Sequence, residues 1–205
     1  HWIKILVVVF FSFFLISFDS YQKDFDKEFG RDHNVCKKFK GNVLLYVVWV
    51  ETRVSEKWTD FDLNTTVDSV KYAVNWLNKM ADKNAVELKL FFDTSHSDSL
   101  SAIYQKLDAD IPDLITNSEG LDKIDKWSNK LIRIQSGEKT KISLISSLRN
   151  KYNVESVALV FMMNNYYKED YVYTFNTTSN SNIEYSVVNS KRPVIIAQNI
   201  LSLFG

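Results

Sequence analysis

Ser156-Val157-Ala158-Leu159-Val160-Phe161-Met162-Met163 is an unbroken apolar run of strand length. A half-buried strand alternates apolar and polar residues; an unbroken run suits a strand covered on both faces. The stretch is therefore expected to be a central strand. Upstream, Asn42 to Val54 (NVLLYVVWVETRV) predicts another strand, buried at its start and alternating later. Between these two lie several helical patterns. Val67, Val70, Val74, Leu77 and Ala81 recur at helical spacing, and Thr65 with Asp68 resembles a capping box. They predict a helix over about 66–82, after a loop from Trp58 to Asn64. Val86 to Phe92 (VELKLFF) alternates as a strand does. Residues 97–107 predict a short helix, and 108–118, with Pro112, a loop. Leu121, Ile124, Trp127, Leu131 and Ile134 predict a helix ended by Gly137, and Ile142, Ile145 and Leu148 another ending near Asn153.

Downstream of the run, Tyr171 to Phe175 (YVYTF) is aromatic and half polar, as an edge strand can be. A polar turn over Asn176 to Asn182 leads into a strand from Ile183 to Val188. Pro193 then stands where a helix can start, and Val194 to Phe204 is apolar on most sides. The expected fold is one α/β (α+β) domain, a mixed twisted sheet with helices packed on it. A helical insertion at about 97–152 divides its two halves. No internal repeat is visible.

Composition closes several function classes. Of 205 residues, 45% are hydrophobic and 14% aromatic, enough for a sizeable core. Lys+Arg and Asp+Glu balance at 25 each, so no global field draws the chain to a polyanion, and nucleic acid is not an expected partner. One Cys and three His exclude a Cys-rich zinc site, a CxxC redox pair and a disulfide framework. No GxGxxG or Walker loop occurs.

The chain opens on His1 without Met, as expected of a fragment or a processed chain. Lys4 is followed by an uncharged run, Ile5 to Phe18, interrupted only by Ser12 and Ser17. That run suits a secretory signal or a short membrane anchor, assigned to residues 1–20, and predicts export. It is also the only expected membrane contact. Residues 21–40 are dense in Lys, Asp and Glu and predict a solvated linker, leaving 41–205 as the folded domain. Cys36 and His33 lie in or beside that linker without a context that would activate a thiol.

The end of the chain, Ile196-Ala197-Gln198-Asn199-Ile200-Leu201-Ser202-Leu203-Phe204-Gly205, resembles the active-site helix of zincin metallopeptidases, particularly metzincin-like secreted ones. Their helix commonly reads A-H-E-x-L-H-x-F-G. Ala197, Leu201, Phe204 and Gly205 match its scaffold positions. Gln198 and Ser202 fall on the two zinc-binding His, and Asn199 on the catalytic Glu. The family's element order is similar too: strand, long helix, strand, intervening segment, strand, antiparallel edge strand, strand, active-site helix. The resemblance covers roughly residues 42–205. It implies a zincin-like sheet with a long backing helix, a C-terminal active-site helix, and an edge strand, here Tyr171, Val172, Tyr173, Thr174 and Phe175, that pairs with a peptide.

The chemistry of the motif is altered in each role. Two His four residues apart share a helix face and reach one zinc ion. The Glu between them activates the bound water. Gln198 offers a neutral amide, Ser202 a hydroxyl and Asn199 no proton acceptor of carboxylate strength. The family's third ligand would lie beyond Gly205. The resemblance therefore implies a peptidase homologue without catalysis and without a cofactor, zinc included. It can still take a peptide or protein in the cleft. The competing expectation is a cell-surface binding module unrelated to peptidases.

Other candidates have simpler structural explanations. His96, within Asp93-Thr94-Ser95-His96-Ser97-Asp98, is expected in a helix-capping loop rather than a cation site. Tyr166, Tyr167, Tyr171, Tyr173 and Phe175 could form a ligand platform, but cross-strand packing is the simpler expectation. Trp49 and Trp58 are expected in or at the edge of the core. Asn64-Thr65-Thr66 and Asn176-Thr177-Thr178 match the glycosylation sequon.

Overall fold

The computed structural model describes residues 39–94, 100–164, 169–175 and 183–204. In chain order these form β1 (Gly41–Glu51), α1 (Asp60–Lys83), β2 (Leu88–Thr94), β3 (Ile103–Tyr104), α2 (Ile111–Leu114), α3 (Ser118–Ser136), α4 (Lys141–Tyr152), β4 (Ser156–Met163), β5 (Val172–Phe175), β6 (Tyr185–Val188) and α5 (Pro193–Leu203). The expectations placed on His1, His33, Cys36, His96, Tyr166, Tyr167, Gly205, the 176–182 turn and the N-terminal segment lie outside the described residues.

The sheet order is β2-β1-β4-β6-β5, with β3 beside the end of β1. All pairings are parallel except β5 with β6, which is antiparallel. Every residue from Val43 to Val50 and from Ser156 to Met163 is buried. This matches the unalternating run 156–163, whereas β1, expected to alternate in its later part, is buried without a break to Val50, because helices cover both faces. On one face, Asn199 of α5 reaches Ser186, and α5 packs against α1. On the other, Trp127 of α3 meets Phe161 with ring centroids 6.0 Å apart, and Lys141 of α4 lies 4.7 Å over the Tyr185 ring.

Lys141 is the unusual member of this second layer. Its ammonium donates to the Asp125 carboxylate at 2.7 Å and to Ser128 at 2.9 Å. Burial lowers its pKa, while Asp125 opposes the shift. The pair joins α3 to α4 under the sheet.

Several boundaries differ from expectation. The long helix starts at Asp60, and residues 60–64 are not a loop. Thr59 is its cap: the Thr59 hydroxyl accepts from the Asp62 N–H at 3.2 Å, and Asp62 accepts from the Thr59 N–H at 3.3 Å. The T-x-x-D pattern occurs at both 59–62 and 65–68, and local sequence does not rank them. The earlier start buries Leu63 and places Asp62 against Lys191. Thr65 instead sits within the helix, its hydroxyl donating to the Phe61 carbonyl at 2.7 Å.

The expected helix at 97–107 is also corrected. Among the described residues there, Ile103 and Tyr104 form a strand paired with Val50 and Glu51. The Gln105 N–H extends this ladder to the Glu51 carbonyl at 2.9 Å. Ile103 is buried and Tyr104 exposed, the alternation of a strand with one covered face. Pro112 does not mark a loop but opens the one-turn helix α2, where a missing N–H is harmless. Gly137 and Asn153 end α3 and α4 in the left-handed conformation. Trp49 is fully buried, and Trp58 packs edge-on against it at 5.3 Å.

Candidate functional site

Open α/β sheets usually bind ligands outside the carboxyl ends of the strands, where the strand order reverses. Here that point lies between β1 and β4, and the chain fills it with its own residues 56–59. Glu56 bridges to Asn164. Trp58 donates its indole N–H to the Val50 carbonyl at 3.0 Å and its backbone N–H to Glu51 at 2.8 Å. Asn164 donates to the Lys57 carbonyl. The remaining space beside Asn164 is about 10 Å³, roughly the room of one water.

Asp62 sits beneath this plug and is 2% exposed. Its carboxylate accepts from Lys191 at 2.7 Å and from the Thr59 hydroxyl at 2.6 Å. Burial alone would raise its pKa, but the bonds from Lys191 and Thr59 outweigh burial and hold it well below the usual carboxylate range. The pair links the start of α1 to the segment that leads into α5.

An open cleft lies elsewhere, between β5 and α5, and measures about 350 Å³. From α5 it is lined by Ile195, Gln198, Asn199 and Ser202, and from the β5 side by Tyr171, Val172 and Thr174. Asp170 and Arg192 stand at one end, paired at 2.7 Å, with Ser190 also donating to Asp170 at 2.9 Å. The entries to β5 and to α5 are thus tied together. Among the described residues, Asp170 and Arg192 are the only charged side chains of the lining, so the rest is neutral.

The helix period sorts the three motif positions. Gln198 and Ser202, four apart, are both exposed on the cleft side. Asn199 is turned inward and is 1% exposed. Its amide donates to the Ser186 hydroxyl at 2.9 Å, while its carbonyl oxygen has no hydrogen-bond partner. The Ser202 hydroxyl donates back to the Gln198 carbonyl at 2.9 Å, a local bond that leaves it without a base. Of the scaffold positions, Ala197 is buried, Leu201 is exposed and Phe204 packs at a tilt against Phe39, ring centroids 4.6 Å apart.

The five residues singled out on the edge strand divide by side. Val172 and Thr174 face the cleft, whereas Phe175 turns to the opposite face and stacks on Tyr185 at 4.8 Å. Tyr173 packs against Tyr171 at 5.3 Å and is not part of the cleft lining. Tyr171 reaches the cleft, and its hydroxyl lies 3.4 Å from the Met163 sulfur. Burial pushes its phenol above the ordinary value, so it remains a neutral group.

The backbone of β5 is as informative as its side chains. The Tyr171 carbonyl accepts from the Asn189 N–H at 3.2 Å. Tyr171 is therefore in a hydrogen-bonded pair position, and the antiparallel alternation turns the N–H and C=O of Val172 and Thr174 outward. The free sheet edge and the cleft share the same two residues.

A neutral amide, a hydroxyl committed to its own helix and an inward-turned Asn199 lack the His, Cys or carboxylate character that zinc requires. Among the described residues, no group of three or more His, Cys, Asp or Glu could hold a metal. No helix of the described residues is long and apolar enough to cross a membrane. Asp62, Asn164, Asp170, Ser186, Lys191 and Arg192 were not singled out from sequence, because their partners are distant along the chain. The run Ser190-Lys191-Arg192 before Pro193 was the one local signal: polar residues abutting an apolar helix. No protein-family model, curated protein or solved structure matches this chain.

Proposed function

We propose that this chain is an exported, zincin-like peptidase homologue that binds an extended peptide along β5 without cleaving it. One observation carries the reading. The helix whose sequence resembles a zinc-binding helix lies beside an antiparallel edge strand, across an open cleft, with its two degenerate ligand positions exposed to that cleft. The long helix α1 and the sheet behind it agree with the expected element order. Export rests on the apolar run Ile5 to Phe18. The neutral amides and hydroxyls of Gln198, Ser202 and Thr174 suit peptide groups. Binding would add a strand to β5, with alternate side chains entering the cleft. Among the described residues the one carboxylate of the lining, Asp170, is already engaged by Arg192 and Ser190, and no activated nucleophile stands beside it, so bond cleavage is not expected.

The test uses the purified chain, zinc analysis, a casein digest with and without chelator, and a display library of extended peptides. Stoichiometric zinc, or casein cleavage stopped by chelator, would overturn the proposal. So would a library yielding no binder sensitive to β5. Thr174→Pro is the diagnostic variant. Its lost N–H points outward, where edge strands tolerate Pro, so β5 should stay paired to β6. Peptide affinity is expected to fall by about tenfold or more, the loss of roughly one main-chain hydrogen bond plus steric exclusion. The melting temperature should move little.

A further inference from the structure

We infer that the hollow between α3 and the segment following β3 is a binding site for a phosphate monoester carried on a small apolar body. It lies on the face of the sheet away from the β5 cleft and is independent of the peptide-binding reading. The hollow measures about 360 Å³, within the usual size of small-ligand sites. Lys123, Lys126 and Lys130 recur along one side of α3, and Lys106 closes the ring from the other wall. Leu107, Leu114 and Trp127 supply apolar lining.

Among the described residues these charges are only partly neutralised. Lys123 pairs with Glu119 at 2.8 Å and Lys106 with Asp108 at 3.4 Å, both on exposed surface where such pairs are worth little. Lys126 and Lys130 have no carboxylate partner among the described residues. Asp108 is the single acid of the lining, and Arg53 holds it at 3.2 Å as well. Set against the two engaged carboxylates, Asp108 and Glu119, the four lysines leave two positive charges, on Lys126 and Lys130, which favours a dianion over a monoanion. In a chain of zero formal charge this is a local concentration of like charge. Repulsion among the lysines disfavours the hollow while it is empty, and a dianion relieves it. Trp127 is 3% exposed and fixed by its indole bond to the Gln105 carbonyl at 3.3 Å, so it closes the hollow as a rigid apolar floor rather than an open face.

The probe is phenyl phosphate, titrated into the isotope-labelled full chain and followed by NMR, with inorganic phosphate, benzoate and phenol as separate arms. Phenyl phosphate is expected to shift the signals of Leu107, Leu114 and Trp127 and to bind about tenfold tighter than each other arm, as expected where charged hydrogen bonds and apolar contact act together. Lys126→Gln with Lys130→Gln should weaken it by about tenfold or more, because two charge-assisted contacts are lost. Lys71→Gln with Lys79→Gln, exposed on α1, should leave it unchanged. Four results would overturn the inference: no shifts at Leu107, Leu114 and Trp127; equal weakening by both double variants; inorganic phosphate as tight as phenyl phosphate; or benzoate as tight as phenyl phosphate.

Discussion

Phe161→Ala is expected to lower the unfolding free energy by about 3–5 kcal/mol, the range for truncating a buried aromatic ring. Phe161 is fully buried in the central strand and is the middle link of an aromatic chain. Trp127 of α3 meets it at 6.0 Å, Tyr185 of β6 at 5.7 Å, and Tyr185 in turn stacks on Phe175 of β5. Removing the ring leaves a cavity walled by rigid strands, which collapse poorly around it. The loss should appear as a lower urea midpoint with an unchanged slope. Phe161→Leu, which keeps most of the volume, should recover much of it. A loss below about 1 kcal/mol for the alanine variant would mean that the Phe161 ring is not a tightly packed part of the core.

Asp62→Ala is expected to remove about 3 kcal/mol at neutral pH, the lower end for breaking a buried ion pair, because Lys191 is partly exposed and can relax toward water. The variant also loses the cap interaction with Thr59. The pH dependence has a definite sign. The folded carboxyl lies below its ordinary value, with the bonds from Lys191 and Thr59 overcoming burial. The stabilisation is therefore complete above the unfolded value of about 3.9 and is lost as pH falls through the folded one. The difference between wild type and Asp62→Ala should narrow steadily below about pH 4. A gap that stays constant into that range would show that Asp62 does not contribute through its charge.

The elements that were legible in the sequence were those whose burial is written locally. Ser156–Met163 needs two covered faces, and the structure covers both. The helical spacing of Leu121 to Ile134 and the Gly137 stop reappear in α3. Misread elements were those decided by a distant partner. Thr59 and Thr65 offer similar caps, and the choice is consistent with the contact of Asp62 with Lys191, far along the chain. Residues 103–104 have too little pattern to announce a strand; the end of β1 recruits them.

The candidate site divides in the same way. Sequence alone determined that Gln198 and Ser202 share a helix face, since residues four apart do so in any α-helix. It also determined that neither they nor Asn199 offers an imidazole or a carboxylate, because donor character belongs to the residue type. Only the tertiary structure decided that this exposed face borders a cleft beside β5, and that Asn199 turns inward to Ser186. It also decided that the sheet's usual binding crevice is closed by Trp58. Those outcomes depend on which strand lies at the edge and which segment fills the reversal point. Both are set by contacts between residues far apart in the chain, which no local pattern records.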